Sequence, residues 1–277
     1  MNKNALFLLL LSAFILFACS KDTNNSTDND YDSLIAKEEY LIYMDEIKIY
    51  GNLYKPENYS EDNSYPLIIM SHSANVNSDT LNSYAKRSAY LGYLVYTFDF
   101  PGSSSSSRST NIDLCTIFTE IDNLSFIVEY FSIITYVNEI FLFGTSQGGL
   151  VSSVVADEKE DLISGLILFY PAYNIPELIL KYPSSIDASY VEQLKDYDVY
   201  EHIGKFKKDV LIVHGTSDFI VPYSYSKRAD ELYENSTLYL VEGANHGFNK
   251  ENQYFNNNYD ELTWSYASIY LQNHLSN

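Results

Sequence analysis

Short apolar runs recur along this 277-residue chain at the spacing of strand–helix–strand units. Residues 66–71 (Pro-Leu-Ile-Ile-Met-Ser), 93–98, 139–143, 165–169 and 210–214 are nearly continuous apolar stretches of strand length. Such runs suit parallel strands covered on both faces, where no solvent side demands alternation. Residues 39–44 and 46–54 differ: Ile47, Ile49 and Leu53 alternate with polar neighbours, which predicts a leading antiparallel pair. A last strand is expected at 238–241. Helical stretches fall at 80–91, 113–137, 147–156, 224–233 and 259–275, each close enough behind a strand to form a right-handed crossover. The pattern predicts an α/β protein with a mostly parallel eight-stranded sheet and helices on both faces. Residues 171–206 break the alternation with mixed helical pieces and read as an insertion between the sixth and seventh strands. The five serines at 103–107 offer nothing to bury and read as a mobile loop.

Composition narrows the possible partners. Apolar residues make up 46% of the chain, enough for a sizeable core. Asp and Glu number 37 against 17 Lys and Arg, a net charge of −20 that repels phosphate backbones and argues against nucleic-acid binding. Two cysteines, Cys19 and Cys115, cannot build a disulfide framework, a Cys-based zinc site or an iron–sulfur cluster. No phosphate loop or dinucleotide fingerprint occurs, so neither a metal nor another cofactor is expected.

The first residues read as an address. Lys3 precedes an apolar run over 5–18, short of the roughly 20 residues a bilayer span needs but suited to a secretory signal. The run ends Leu16-Phe17-Ala18-Cys19, which resembles the lipobox of bacterial lipoproteins, with Phe17 where a small residue is usual. That resemblance implies a signal peptide over 1–18, lipidation of Cys19, and a protein exported to the bacterial cell envelope and held to a membrane through its lipid. An ordinary signal peptide is the alternative. Residues 19–35 then form a polar tether, and 36–277 the folded body. Cys115 lies on an apolar-periodic stretch and reads as a core cysteine.

The candidate chemistry sits at strand ends. The strand at 140–143 runs into Gly144-Thr145-Ser146-Gln147-Gly148-Gly149 and then an apolar helix. G-x-S-x-G between strand and helix is a nucleophile elbow: a tight turn lifts the Ser146 hydroxyl clear of the sheet and sets the Gln147 N–H at a helix N-terminus. A serine hydroxyl needs a base, and the base an orienting acid. Asp218 follows the strand 210–214 in Gly215-Thr216-Ser217-Asp218, and His246 follows the strand 238–241 in Gly243-Ala244-Asn245-His246-Gly247. All three would emerge on one rim of the sheet, where open α/β folds keep their sites. Taken singly, Asp218 could cap a helix and His246 could be a surface histidine. His72 and His214 sit at strand ends and are expected to bond loop backbone.

On these stretches, together with Ser71-His72-Ser73-Ala74, Asp99-Phe100-Pro101-Gly102 and Val221-Pro222, the sequence from about residue 39 onward resembles the α/β-hydrolase superfamily. Within it the likeness is to the cinnamoyl/feruloyl-esterase-like and serine-aminopeptidase-like branch. The resemblance implies Ser146 as nucleophile, Asp218 as acid, His246 as base, Ala74 and Gln147 as oxyanion-hole donors, and a lid at about 171–206. Two departures stand out: Ser73 replaces the glycine of the family's H-G-x turn, and Ser104 replaces the second glycine of its D-x-x-G-x-G loop.

Three functional readings follow. The first is a serine hydrolase of small carboxylic esters acting through an acyl-enzyme, with Tyr173, Tyr182, Tyr190, Tyr197 and Tyr200 of the insertion suiting a medium or aromatic acyl group. The second is an exopeptidase or amidase on the same three residues. The third is a catalytically weak, lipid-anchored binding protein, suggested by the altered loops.

Overall fold

A computed structural model describes residues 34–249 and 259–275. The proposed signal peptide, most of the tether and Cys19 lie outside them. One eight-stranded sheet forms the centre, in the order β1 (Ala36–Glu39), β4 (Gly51–Lys55), β6 (Leu94–Phe98), β5 (Tyr65–Ser71), β7 (Val137–Thr145), β8 (Gly165–Phe169), β9 (Asp209–Gly215), β10 (Ser236–Val241). The first two are antiparallel to their neighbours and the rest run parallel. The expected leading pair is more finely divided than its sequence suggests. β1 pairs with β4, while β2 (Ile42–Met44) and β3 (Ile47–Ile49) form a separate hairpin whose turn holds Asp45 at φ 53°. A residue that tolerates the left-handed region ends the strand there.

The apolar runs conceal a period of two. Leu67, Ile69, Leu94, Tyr96, Ile140, Leu142, Leu166, Leu168, Val210 and Ile212 face one core layer. Ile68, Met70, Val95, Phe141, Phe143, Ile167, Phe169, Leu211 and Val213 face the other. Helices α2 (Ile117–Ser132) and α3 (Gln147–Glu158) cover the first face. Helices α1 (Asn82–Tyr90) and α7 (Asp260–Leu275) cover the second. Both faces being dry, few strand positions hold polar residues, so the sequence shows runs rather than alternation.

Helix α2 is shorter than the expected 113–137. Thr116 caps it, accepting from the Thr119 N–H while Thr119 Oγ1 accepts from the Thr116 N–H. That reciprocal box satisfies two N–H groups and fixes the start. Between β8 and β9 the chain forms α4 (Ile175–Lys181), α5 (Ala188–Leu194) and two short 3-10 turns, and α6 (Ser224–Asp230) precedes β10. No helix among the described residues is long and apolar enough to cross a membrane.

The serine run is a bonded loop. Ser103 and Ser107 both donate to the Phe100 carbonyl, and Ser109 donates to the Asp99 carbonyl. Asp99, fully buried, takes the Ser78 N–H and hydroxyl on Oδ1 and the Arg108 N–H and Nε on Oδ2. Burial alone would raise its pKa, but these donors outweigh it and hold the carboxyl below the usual range. Side-chain hydroxyls thus close this loop, in a stretch where Ser104 occupies the second glycine position.

Candidate active site

Strand β7 ends in the turn that carries Ser146, at φ 51° and ψ −117°, a conformation L-residues rarely adopt. Close approach, more than dihedral freedom, dictates the glycines beside it. A Cβ on Gly144 would strike the Gly148 backbone, and one on Gly148 would strike the Ser71 carbonyl at the end of β5. The Ser146 N–H donates to the Phe169 carbonyl, and the Ser146 carbonyl accepts from Gly149, Leu150 and Ala172. The elbow is therefore bonded to α3 and to the segment after β8.

Asp218 and His246 come from the ends of β9 and β10. Asp218 Oδ1 accepts from the Ile220 and Val221 N–H groups, both at 2.9 Å. Asp218 Oδ2 accepts from His246 Nδ1 at 2.7 Å, and His246 Nε2 lies 3.0 Å from Ser146 Oγ. Ser146 and His246 are 100 positions apart in the chain, yet they meet at this rim. Asp218 does serve its own loop, as a capping aspartate would, but only with one oxygen. Burial works to raise its pKa; the bonds from His214 and His246 outweigh that, and the carboxyl is held well below the ordinary range. The Tyr170 ring packs edge-on against the His246 ring, centroids 4.7 Å apart, and Tyr170 itself sits at φ 39°.

Ala74 lies in the turn after β5, and Gln147 opens α3. The Ser73 hydroxyl makes a 3.0 Å bond with the Thr145 hydroxyl. The serine at the expected glycine position thus ties the Ala74 turn to the residue preceding Ser146. His72 is buried, with Nδ1 2.7 Å from the Ser73 carbonyl and Nε2 accepting from the Phe100 N–H at 3.1 Å. Those partners require the proton on Nδ1. Burial lowers its pKa, and the ring holds two loops together as a neutral group.

Of two further side chains beside these residues, Glu120 has no place in the sequence reading and His214 only that of bonding loop backbone, which its Nε2 does at the Val221 carbonyl. Glu120, 1% exposed, accepts from Gln147 Nε2 at 2.8 Å and lies 3.6 Å from Cys115 Sγ. Desolvation pushes its carboxyl up to about 7, although both bonds pull it down. A signal existed: Glu120 falls on the buried stripe Ile117, Ile121, Leu124, Val128 of α2. His214, also fully buried, reaches Asp218 Oδ2 at 3.2 Å. Its spacing four residues before Asp218 is legible, but its direction is not. Among the described residues no cluster of three His, Cys, Asp or Glu could hold a metal ion.

The sheet order, the crossing helices and the elbow are those of the α/β-hydrolase fold, and the comparisons support that superfamily. The serine aminopeptidase (S33) family matches residues 62–196, a stretch that includes Ser146 and stops before Asp218 and His246. The structure of Est1E from Butyrivibrio proteoclasticus with ferulic acid bound is similar, at 26% identity and a TM-score of 0.72, over 84% of this chain and 98% of that one. A monoacylglycerol lipase from Paleococcus ferrophilus shares the fold at 18% identity and a TM-score of 0.60, over 82% of this chain and 99% of the other. No curated protein matches the sequence.

Proposed function

We propose that the protein is a serine carboxylesterase acting through Ser146, His246 and Asp218. The observation that carries the reading is the unbroken hydrogen-bonded line from Ser146 Oγ through the imidazole to Asp218 Oδ2, beginning at a strained elbow. His246 Nδ1 faces a carboxylate and so carries the ring proton, which leaves Nε2 to accept from Ser146. Ser146 Oγ attacks the ester carbonyl carbon, its proton passes to Nε2, and negative charge collects on the former carbonyl oxygen. The Gln147 and Ala74 N–H groups bind that oxyanion, the first at the positive end of α3. The intermediate collapses, the departing alcohol takes the proton from His246, and water repeats the sequence to release the acid. Asp218 stays ionised throughout, in keeping with its depressed pKa.

The likeness to Est1E favours an ester with an aromatic acyl group. The tyrosines of 171–206 lend less support. Tyr173, Tyr190 and Tyr200 are buried in the core, where Tyr173 bonds Ser153, Tyr190 accepts from the Ile117 N–H and Tyr200 donates to the Tyr225 carbonyl. Tyr182 is 42% exposed. In this reading the segment acts as a lid over the site.

The serine aminopeptidase match keeps an exopeptidase as the second reading. Hydrolysis of p-nitrophenyl acyl esters against aminoacyl anilides separates the two. We expect ester turnover and fluorophosphonate labelling of wild type but not of Ser146→Ala. Anilide cleavage alone would favour the exopeptidase; no turnover and equal labelling would leave a binding protein. We further propose export and lipid anchoring at Cys19, with Cys19→Ala releasing the protein from the membrane fraction and removing incorporated fatty acid.

A further inference from the structure

We infer that His214 is a positioning residue for the Asp218–His246 pair, supplying a second imidazole N–H to the same carboxylate oxygen that orients the base. The inference rests on the triad reading above and extends it by one residue. His214 Nε2 lies 2.9 Å from the Val221 carbonyl and 3.2 Å from Asp218 Oδ2. Both partners only accept, so the proton sits on Nε2, shared between the Val221 carbonyl as the nearer acceptor and Asp218 Oδ2 as the longer one. In the neutral ring Nδ1 then accepts from the Ser226 hydroxyl, 2.7 Å away on α6. Ser226 is fully buried.

The consequence for Asp218 is geometric. A carboxylate offers about four lone-pair sites. Oδ1 takes the Ile220 and Val221 N–H groups, and Oδ2 takes His214 and His246. Three are filled by hydrogen bonds and the fourth faces the shared His214 N–H, which opposes rotation of the carboxylate. His214 also grips the Val221 carbonyl, so one ring holds both the acid and the loop that feeds its other oxygen. The second donor shares the negative charge on Oδ2 and tempers its pull on the His246 proton. The titratable groups facing this assembly are Asp218, His214, His246 and Tyr170, whose ring abuts His246.

Removing the donor has two separable effects. His214→Phe keeps a ring in the space but leaves Oδ2 to His246 alone. The charge then concentrates on the His246 bond, favours the imidazolium, and moves the acid limb of the kcat/KM profile to higher pH. The unclamped carboxylate also lowers kcat, by about 10–100-fold for a lost hydrogen bond to a charged group, with KM little changed. His214→Gln, whose amide nitrogen can reach the same oxygen, restores the limb toward its wild-type midpoint. A purely structural role would lower stability and leave the midpoint in place.

The test is pH-dependent ester hydrolysis by wild type, His214→Phe and His214→Gln, with 15N-imidazole NMR of the wild type. The expected result is an upward midpoint shift in the Phe variant, its reversal in the Gln variant, and a His214 ring protonated on Nε2 alone. A folded Phe variant with the wild-type midpoint, or a His214 ring protonated on Nδ1 instead, overturns the inference. If the Phe variant does not fold, the Gln variant and the wild-type tautomer still decide. A wild type that hydrolyses no ester and takes no fluorophosphonate defeats the triad reading itself, an outcome distinct from either.

Discussion

Glu120→Gln should flatten a specific part of the stability–pH curve. Glu120 is buried between α2 and the start of α3, and desolvation raises its carboxyl from 4.5 to about 7. Between those values the unfolded chain has released the proton and the native state retains it, so stability must fall as pH rises. It is fully present below about pH 4.5 and is lost as pH passes through 7. At 1.36 kcal/mol per unit, the whole loss comes to about 3 kcal/mol. Glutamine fills the same volume and its carbonyl can still accept from Gln147 Nε2, but it has no proton to release. The stability of the variant relative to wild type should therefore climb by about 3 kcal/mol between pH 4.5 and pH 8. Urea unfolding at half-unit pH steps, on both proteins in the same buffers, measures this difference and cancels the repulsion of the other acidic groups. Parallel curves across that window would mean that Glu120 ionises natively at an ordinary pH, and the account of its burial would be wrong.

Other outcomes follow from the same structure. Ser146→Ala should lower kcat for esters by about 10⁶-fold while leaving the thermal transition near wild type, as read by stopped assays and circular dichroism. Gly148→Ala forces a methyl into the Ser71 carbonyl, between two backbones that cannot yield; it should cost about 1–3 kcal/mol and most of the activity, by denaturation and ester turnover. Asp99→Asn leaves Arg108, still paired with Asp79, and the Ser78 donors facing a neutral amide, and should destabilise by about 1–3 kcal/mol at pH 7. That penalty should shrink on acidification, because a carboxyl with a depressed folded pKa contributes stability above its unfolded value and loses it as pH falls through the folded one.

Much of the architecture was legible in the residues. The buried runs at 66–71, 93–98, 139–143, 165–169 and 210–214 all correspond to strands, because a parallel sheet covered on both sides admits little else. Positions that needed partners in space were less legible. The expected strands at 39–44 and 46–54 each split, because β1 and β4 pair within the large sheet while β2 and β3 form a separate hairpin, a division that periodicity does not carry. Tyr173, Tyr190 and Tyr200 of the insertion read as lining for an acyl group, whereas their hydroxyls are bonded within the core. The serines at 103–107 read as loose because hydroxyl-to-carbonyl bonds leave no hydrophobic pattern.

The sequence by itself determined the strand–turn–helix around Ser146, the strand ends that carry Asp218 and His246, and the sheet that brings those ends to one rim. Local sterics and hydrophobic period act over a few residues, so a linear reading can follow them. Only the tertiary structure decided that Asp218 answers to two histidines, that Ser73 braces the turn beside the elbow, and that a buried carboxyl leans on Gln147. Hydrogen-bond direction and desolvation depend on which groups the packed chain sets opposite one another, and that information exists only after folding.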